Sequence, residues 1–294
     1  MTLRDATAAG VPGCTRGPAG AGLSARGPVG DADADGMDGT VTDLLAALPE
    51  TGALAWLLAA ALAGGLARGF SGFGAALIFV PLASVGLGPR AAAPLMLVLE
   101  AVAVLALTPG AWKLADRRQV GILAMGAAVG TPLGALVLAS ADPLALRWAV
   151  ALLILALLGL LASGWRFRGR PRTPATLAVG LAGGVLGGVA MVSGPPVMAY
   201  LLGQPGTARQ VRASFALYLA AGAVFAGIAY AAAGLLTPAL LAPFLVSAPA
   251  YGAGIWAGTR MFGLASERAF RLACYAMIAL AALLGLPLWD GLLR

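Results

Sequence analysis

Two glycine-rich stretches carry the residues with most to offer chemically. The first reads Gly64-Gly65-Leu66-Ala67-Arg68-Gly69-Phe70-Ser71-Gly72-Phe73-Gly74 and continues through apolar residues to Pro81. The second reads Gly183-Gly184-Val185-Leu186-Gly187-Gly188-Val189-Ala190-Met191-Val192-Ser193-Gly194-Pro195-Pro196. Glycine lets a backbone bend, and proline removes a donor and ends a helix. A helix that restarts after such a break presents free N–H groups and the positive end of its dipole, which suits an anion. Ser71 and Ser193 could donate hydrogen bonds to that ligand or be used up on backbone carbonyls. The competing role for the glycines is close helix packing, which small residues commonly serve in membranes.

Charged residues inside apolar segments are few. Glu100 lies in the middle of the apolar block 91–111 and is the one acidic residue in any such block. A carboxylate there is costly and is functional or paired. It could take a coupling proton or gate a pathway, or it could pair with Arg68. Arg68 could instead balance a bound anion. Arg90 follows the first glycine-rich block, and Arg209, Arg212 and Ser214 follow the second. They would flank the mouths of a pathway or simply set the topology.

The elements that position these groups follow from composition. Of 294 residues, 60% are hydrophobic and 11% charged, against roughly 25% charged in soluble domains. Mean hydropathy is +0.91. Eight apolar blocks, at 53–86, 91–111, 119–139, 144–164, 175–202, 212–234, 239–260 and 269–288, mostly approach the ~20 residues that cross a bilayer. The net charge of +7 sits in the gaps between blocks rather than on one face, which excludes a nucleic-acid surface and fits positive cytoplasmic loops. The chain has no His and two distant cysteines. No metal centre, cofactor or Ser-His catalysis is expected, and the chain reads as a non-enzyme.

Residues 1–50, rich in Gly, Ala, Pro and Asp, read as a disordered tail, with Met37 as a candidate start. Membrane repeats are expected over 51–164 and 175–294, joined by a cytoplasmic Arg-rich linker at 165–174. Basic residues concentrate at 112–118, 165–174, 203–212 and 260–271. With all of these gaps on the cytoplasmic side, block 175–202 must enter and leave by one face, as a glycine-broken hairpin. Treating 53–86 likewise gives an all-α polytopic membrane protein of eight to ten segments in two inverted repeats, a transporter hallmark. A shift of 119 residues places Gly64, Gly65 and Gly69 on Gly183, Gly184 and Gly188, and Arg90 on Arg209.

The glycine-rich stretch ending in Pro81-Leu82, echoed by Ser193-Gly194-Pro195-Pro196, Tyr200-Leu201-Leu202 and Arg209 to Arg212-Ala213-Ser214, resembles the sulfite exporter TauE/SafE family over about residues 53–288. The resemblance implies a multi-pass plasma-membrane permease for sulfite or organosulfonates, often coupled to an ion, here protons or sodium. It also implies a substrate site lined by Gly69, Ser71, Gly72, Phe73 and Gly74 together with Ser193, Gly194, Pro195 and Pro196. Arg68 and Phe73 interrupt the more continuous glycine run expected of the family. The expected reading is alternating access around a small anion held by backbone N–H groups, Arg68, Ser71 and Ser193. A passive anion channel and a non-transporting scaffold are the alternatives.

Overall fold

The computed structural model describes residues 51–72, 74–164, 167, 172–204, 206–261 and 267–289. The expectations for residues 1–50, for Phe73 and for most of the 165–174 linker lie outside the described residues. The described chain is helical, without a strand. Ten α-helices follow in order: α1 (Thr51–Ser71), α2 (Ala75–Leu87), α3 (Pro89–Leu114), α4 (Arg117–Ser140), α5 (Pro143–Ala162), α6 (Thr173–Ala190), α7 (Gly194–Leu202), α8 (Ala208–Ala232), α9 (Leu241–Met261) and α10 (Glu267–Gly285). Each apolar block forms helix, and the first and fifth are each divided into a long helix and a short one. By length and composition, six described helices can cross a membrane.

Several starts are written in the local sequence. The Asp116 carboxylate accepts from the Gln119 N–H at 3.1 Å, and the Asp142 carboxylate from the Ala145 N–H at 2.9 Å, just before Pro143. The Thr207 hydroxyl accepts from the Gln210 N–H at 3.2 Å. These are N-cap bonds that satisfy donors the helix itself leaves free.

Polarity is arranged for lipid. Leu133, Leu136, Leu152, Val224 and Ile228 are all half exposed or more, whereas Arg68, Glu100, Thr131, Ser193 and Ser214 are buried. Water would not tolerate that outer surface, and a bilayer would. The molecule is a multi-pass membrane protein.

Most of the expected helix-breaking glycines do not break a helix. Gly64, Gly65 and Gly69 lie within α1, and Gly183, Gly184, Gly187 and Gly188 within α6. In lipid every backbone group must find an internal partner, which keeps such segments helical. These glycines instead permit close approach. A Cβ on Gly126, Gly130 or Gly134 of α4 would collide with the carbonyls of Leu177, Leu181 and Val185 of α6, and one on Gly180 or Gly188 with those of Leu123 and Thr131. The same seam joins α1 to α9, where Gly65 and Gly69 face the Tyr251 and Ile255 carbonyls, and Gly254 and Gly258 face those of Leu62 and Leu66.

The true breaks come later, at Gly72–Gly74 and at Met191–Ser193. Gly72 and Gly74 adopt φ of 74° and 95°, which a residue with a Cβ disfavours. Met191 takes the same left-handed region at φ 57°. It closes α6 with Met191 N–H to Gly187 O at 2.8 Å, the bond of a left-handed helix cap, and Val192 N–H to Leu186 O lies beside it at 3.3 Å.

At the 119-residue offset the boundaries coincide. Ser71 falls on Ala190, where α1 and α6 end. Ala75 falls on Gly194, where α2 and α7 begin, and Pro89 on Ala208, where α3 and α8 begin. Packing follows the same rule, because α4 lies on α6 as α9 lies on α1, while α3 packs on its own counterpart α8.

Candidate functional site

Arg68 occupies the last turn of α1. Its Nη1 donates to the Gly72 carbonyl at 2.6 Å, satisfying an acceptor at the first break. Its Nη2 lies 2.9 Å from Glu100 Oε2. The other carboxylate oxygen of Glu100 accepts from the Tyr251 hydroxyl. The pairing left open in the sequence is therefore made, and a third residue joins it. Tyr251 reaches Glu100 because the glycine seam brings α9 so close to α1. A buried carboxylate with both oxygens engaged is stable only while each partner stays.

Both breaks open onto one cavity of about 60 Å³, lined by Arg68 and Glu100, by Gly74 with the first turn of α2, and by Met191 to Pro195. On this measure about 10–15 Å³ holds one water, so a few waters or a compact anion fit. Ala75 and Ala76 of the first turn line the cavity, and the first N–H groups of a helix have no partner within it. The second break is poorer in such donors, because Pro195 and Pro196 carry none. Ser193 precedes α7 without capping it, lines the cavity, and its hydroxyl makes no hydrogen bond to a described residue.

The remaining expected site residues divide. Gly74, Ser193, Gly194 and Pro195 line the cavity with Arg68 and Glu100. Gly69 does not, since it packs on the Ile255 carbonyl. Gly72 is exposed and meets the site only through the carbonyl bonded to Arg68. Pro196 is half-buried in the first turn of α7 and outside the cavity wall. Ser71 ends α1, with its side chain outside the described residues, as is all of Phe73. Arg90 binds the Leu138 and Ala141 carbonyls at 3.3 and 2.8 Å, where a cation complements the end of α4. Arg209 and Arg212 are exposed in the first turns of α8.

Ser214 is buried, and its Oγ accepts from the Asp116 N–H at 3.0 Å. It lines a second, polar cavity of about 350 Å³ with Arg118, Gln119, Thr176, Gln204 and Gln210. Between α6 and α7 near this cavity, the Thr176 and Tyr200 hydroxyls share a 2.5 Å hydrogen bond.

Charges in the apolar blocks and the serines Ser71, Ser193 and Ser214 stood out in the sequence, whereas the hydroxyls of Thr131, Tyr218 and Tyr251 did not. Thr131 of α4 and Tyr218 of α8 also line the smaller cavity, and Tyr251 completes the ion pair. The available signal was the rarity of polar side chains in spans, each of which needs a partner at membrane depth.

No curated protein and no solved structure matches the chain. A family model described as "Sulfite exporter TauE/SafE" matches residues 57–284, well over half of the chain and including every described residue that lines the cavity. A helical membrane protein with two interrupted helices meeting at a buried ion pair, matched over that span, belongs to the sulfite exporter TauE/SafE family, a family of membrane permeases.

Proposed function

We propose that this chain is a plasma-membrane secondary permease that carries a small sulfur-containing anion, sulfite or an organosulfonate, by alternating access around the 60 Å³ cavity. The observation that carries the reading is the convergence of both helix breaks on the Arg68–Glu100 pair. The two halves act as inverted repeats. Coincident helix boundaries and reciprocal packing support a pseudo-two-fold relation, and binding at a repeat interface is the pattern of many transporters.

The charges suggest how substrate and proton travel together. With Glu100 ionised, its charge and that of Arg68 cancel, and a dehydrated anion would enter without compensation. A proton on Glu100 removes its hold on Arg68. The guanidinium then faces the anion, whose oxygens accept from the first N–H groups of α2 and from Ser193. Release of the anion returns Arg68 to Glu100 and expels the proton. Direction is set by the gradients. The 350 Å³ polar cavity at the starts of α4, α6 and α8 serves as the vestibule on the arginine-rich, cytoplasmic side.

The test is flux in proteoliposomes of sulfite, methanesulfonate, sulfate and acetate, with and without an imposed pH gradient. Sulfur-oxyanion flux that rises with an inward proton gradient is expected. Absence of flux for every sulfur oxyanion overturns the reading.

A further inference from the structure

The chain contains five tyrosines. The Tyr200 hydroxyl bonds to Thr176, Tyr230 donates to the Gly188 carbonyl at 2.9 Å, Tyr251 donates to Glu100, and Tyr275 donates to the Leu161 carbonyl at 3.1 Å. Tyr218 is fully buried, and its hydroxyl has no partner among the described residues. It stands over Gly183, where a Cβ would lie 2.6 Å from the phenol oxygen, and it lines the cavity.

Other hydroxyls repeat the contrast. Ser84, Thr108, Ser140 and Ser247 all bond a carbonyl four residues back. Thr131 and Ser193, on the same cavity as Tyr218, make no hydrogen bond to a described residue. Burying a phenol without a partner is unfavourable. Three unpartnered hydroxyls from three separate segments, on one small cavity, point to a ligand that accepts hydrogen bonds.

We infer that Tyr218, with Thr131 and Ser193, forms a hydroxyl rim that binds the oxygens of the transported anion and selects a compact singly charged oxyanion. The inference rests on the permease reading above and deepens it. The rim supplies neutral donors, so among the described residues that line the cavity the sole full positive charge is that of Arg68 once Glu100 is protonated. One charge matches a monoanion. A dianion would leave one negative charge uncompensated in a buried site. Gly183 has a matching purpose, since any side chain there would occupy the place of the Tyr218 hydroxyl.

The experiment uses the full chain in proteoliposomes, with sulfite flux inhibited by methanesulfonate, a fixed monoanion, or by sulfate, a fixed dianion. Methanesulfonate is expected to compete at least tenfold better than sulfate. Tyr218→Phe should raise the KM for sulfite about tenfold, equivalent to about 1.4 kcal/mol. Its thermal unfolding midpoint should be unchanged or higher, because an unsatisfied hydroxyl has been removed. Thr131→Val should act in the same direction on KM.

A Tyr218→Phe protein with unaltered KM, or one that fails to accumulate or unfolds earlier, overturns the assignment by giving the hydroxyl no role or a folding role. Equal competition by sulfate overturns the monoanion selectivity. In all of these outcomes the wild-type chain still carries sulfite and the permease reading stands. A wild-type chain that carries no sulfur oxyanion overturns both.

Discussion

Arg68 and Glu100 meet 2.9 Å apart although they belong to different helices, and the carboxylate that holds the guanidinium also accepts from Tyr251 on a third. This places a charge that can be neutralised beside one that cannot. Arg stays protonated in proteins, whereas a carboxylate left alone can take up a proton. The two single substitutions should therefore differ. Glu100→Gln strands a buried cation and is expected to destabilise by about 3–5 kcal/mol, the scale for breaking a buried pair from one side. Arg68→Gln should cost less, because Glu100 escapes by protonation. The double substitution should recover most of the loss. Unfolding midpoints of the purified proteins in detergent check the order, and equal losses for the two singles would contradict the argument.

Transport separates the same residues differently. If Glu100 carries the proton, Glu100→Gln should abolish uphill sulfite accumulation driven by a pH gradient while leaving sulfite–sulfite exchange measurable. The paired assay is imposed-gradient uptake against counterflow in one vesicle preparation. Full gradient-driven uptake by Glu100→Gln would remove the coupling role.

The glycine seams make a prediction about stability alone. Alanine at Gly130 or Gly65 drives a methyl into the Leu181 or Tyr251 carbonyl. Neither backbone can yield without moving a helix, and overpacking of this kind costs about 1–3 kcal/mol or more. Alanine at Gly121 or Gly159 meets nothing within 4 Å and should be neutral or stabilise by up to about 1 kcal/mol through helix propensity. Yields of monodisperse protein and unfolding midpoints across the four variants should split into these two pairs.

The eight blocks were legible because lipid imposes length and apolarity on any crossing segment. The division of blocks 53–86 and 175–202 was legible too, and each break falls inside the expected stretch, Gly64–Gly74 or Gly183–Pro196, at its C-terminal end. The earlier glycines of both stretches are helical because a bilayer penalises open backbone and rewards close packing. The second break turns on Met191, whose left-handed φ no local residue preference announces. Arg68 and Glu100 stood out as charges in apolar surroundings. Tyr218, Thr131 and Tyr251 did not, since a hydroxyl is ordinary in a helix until its missing or unusual partner is visible in three dimensions.

The proposed inversion of the repeats has a direct consequence for exposure. Gly88, between α2 and α3, and Thr207, just before α8, are equivalent at the 119-residue offset. Both lie where the chain turns between a short helix and a long one. Two halves of the same orientation put equivalent turns on one side of the membrane, and inverted halves put them on opposite sides. Counting basic residues assigns Thr207 to the cytoplasm, beside Arg209 and Arg212, so position 88 should face the other side. Single cysteines at 88 and 207 in a background with Cys14 and Cys274 replaced can be labelled with a membrane-impermeant maleimide. Intact cells should label position 88 alone, and inverted vesicles position 207 alone. Labelling of both from one side would leave the reciprocal packing of α4 on α6 and α9 on α1 in place but remove inversion, and with it the alternating-access geometry proposed for the cavity.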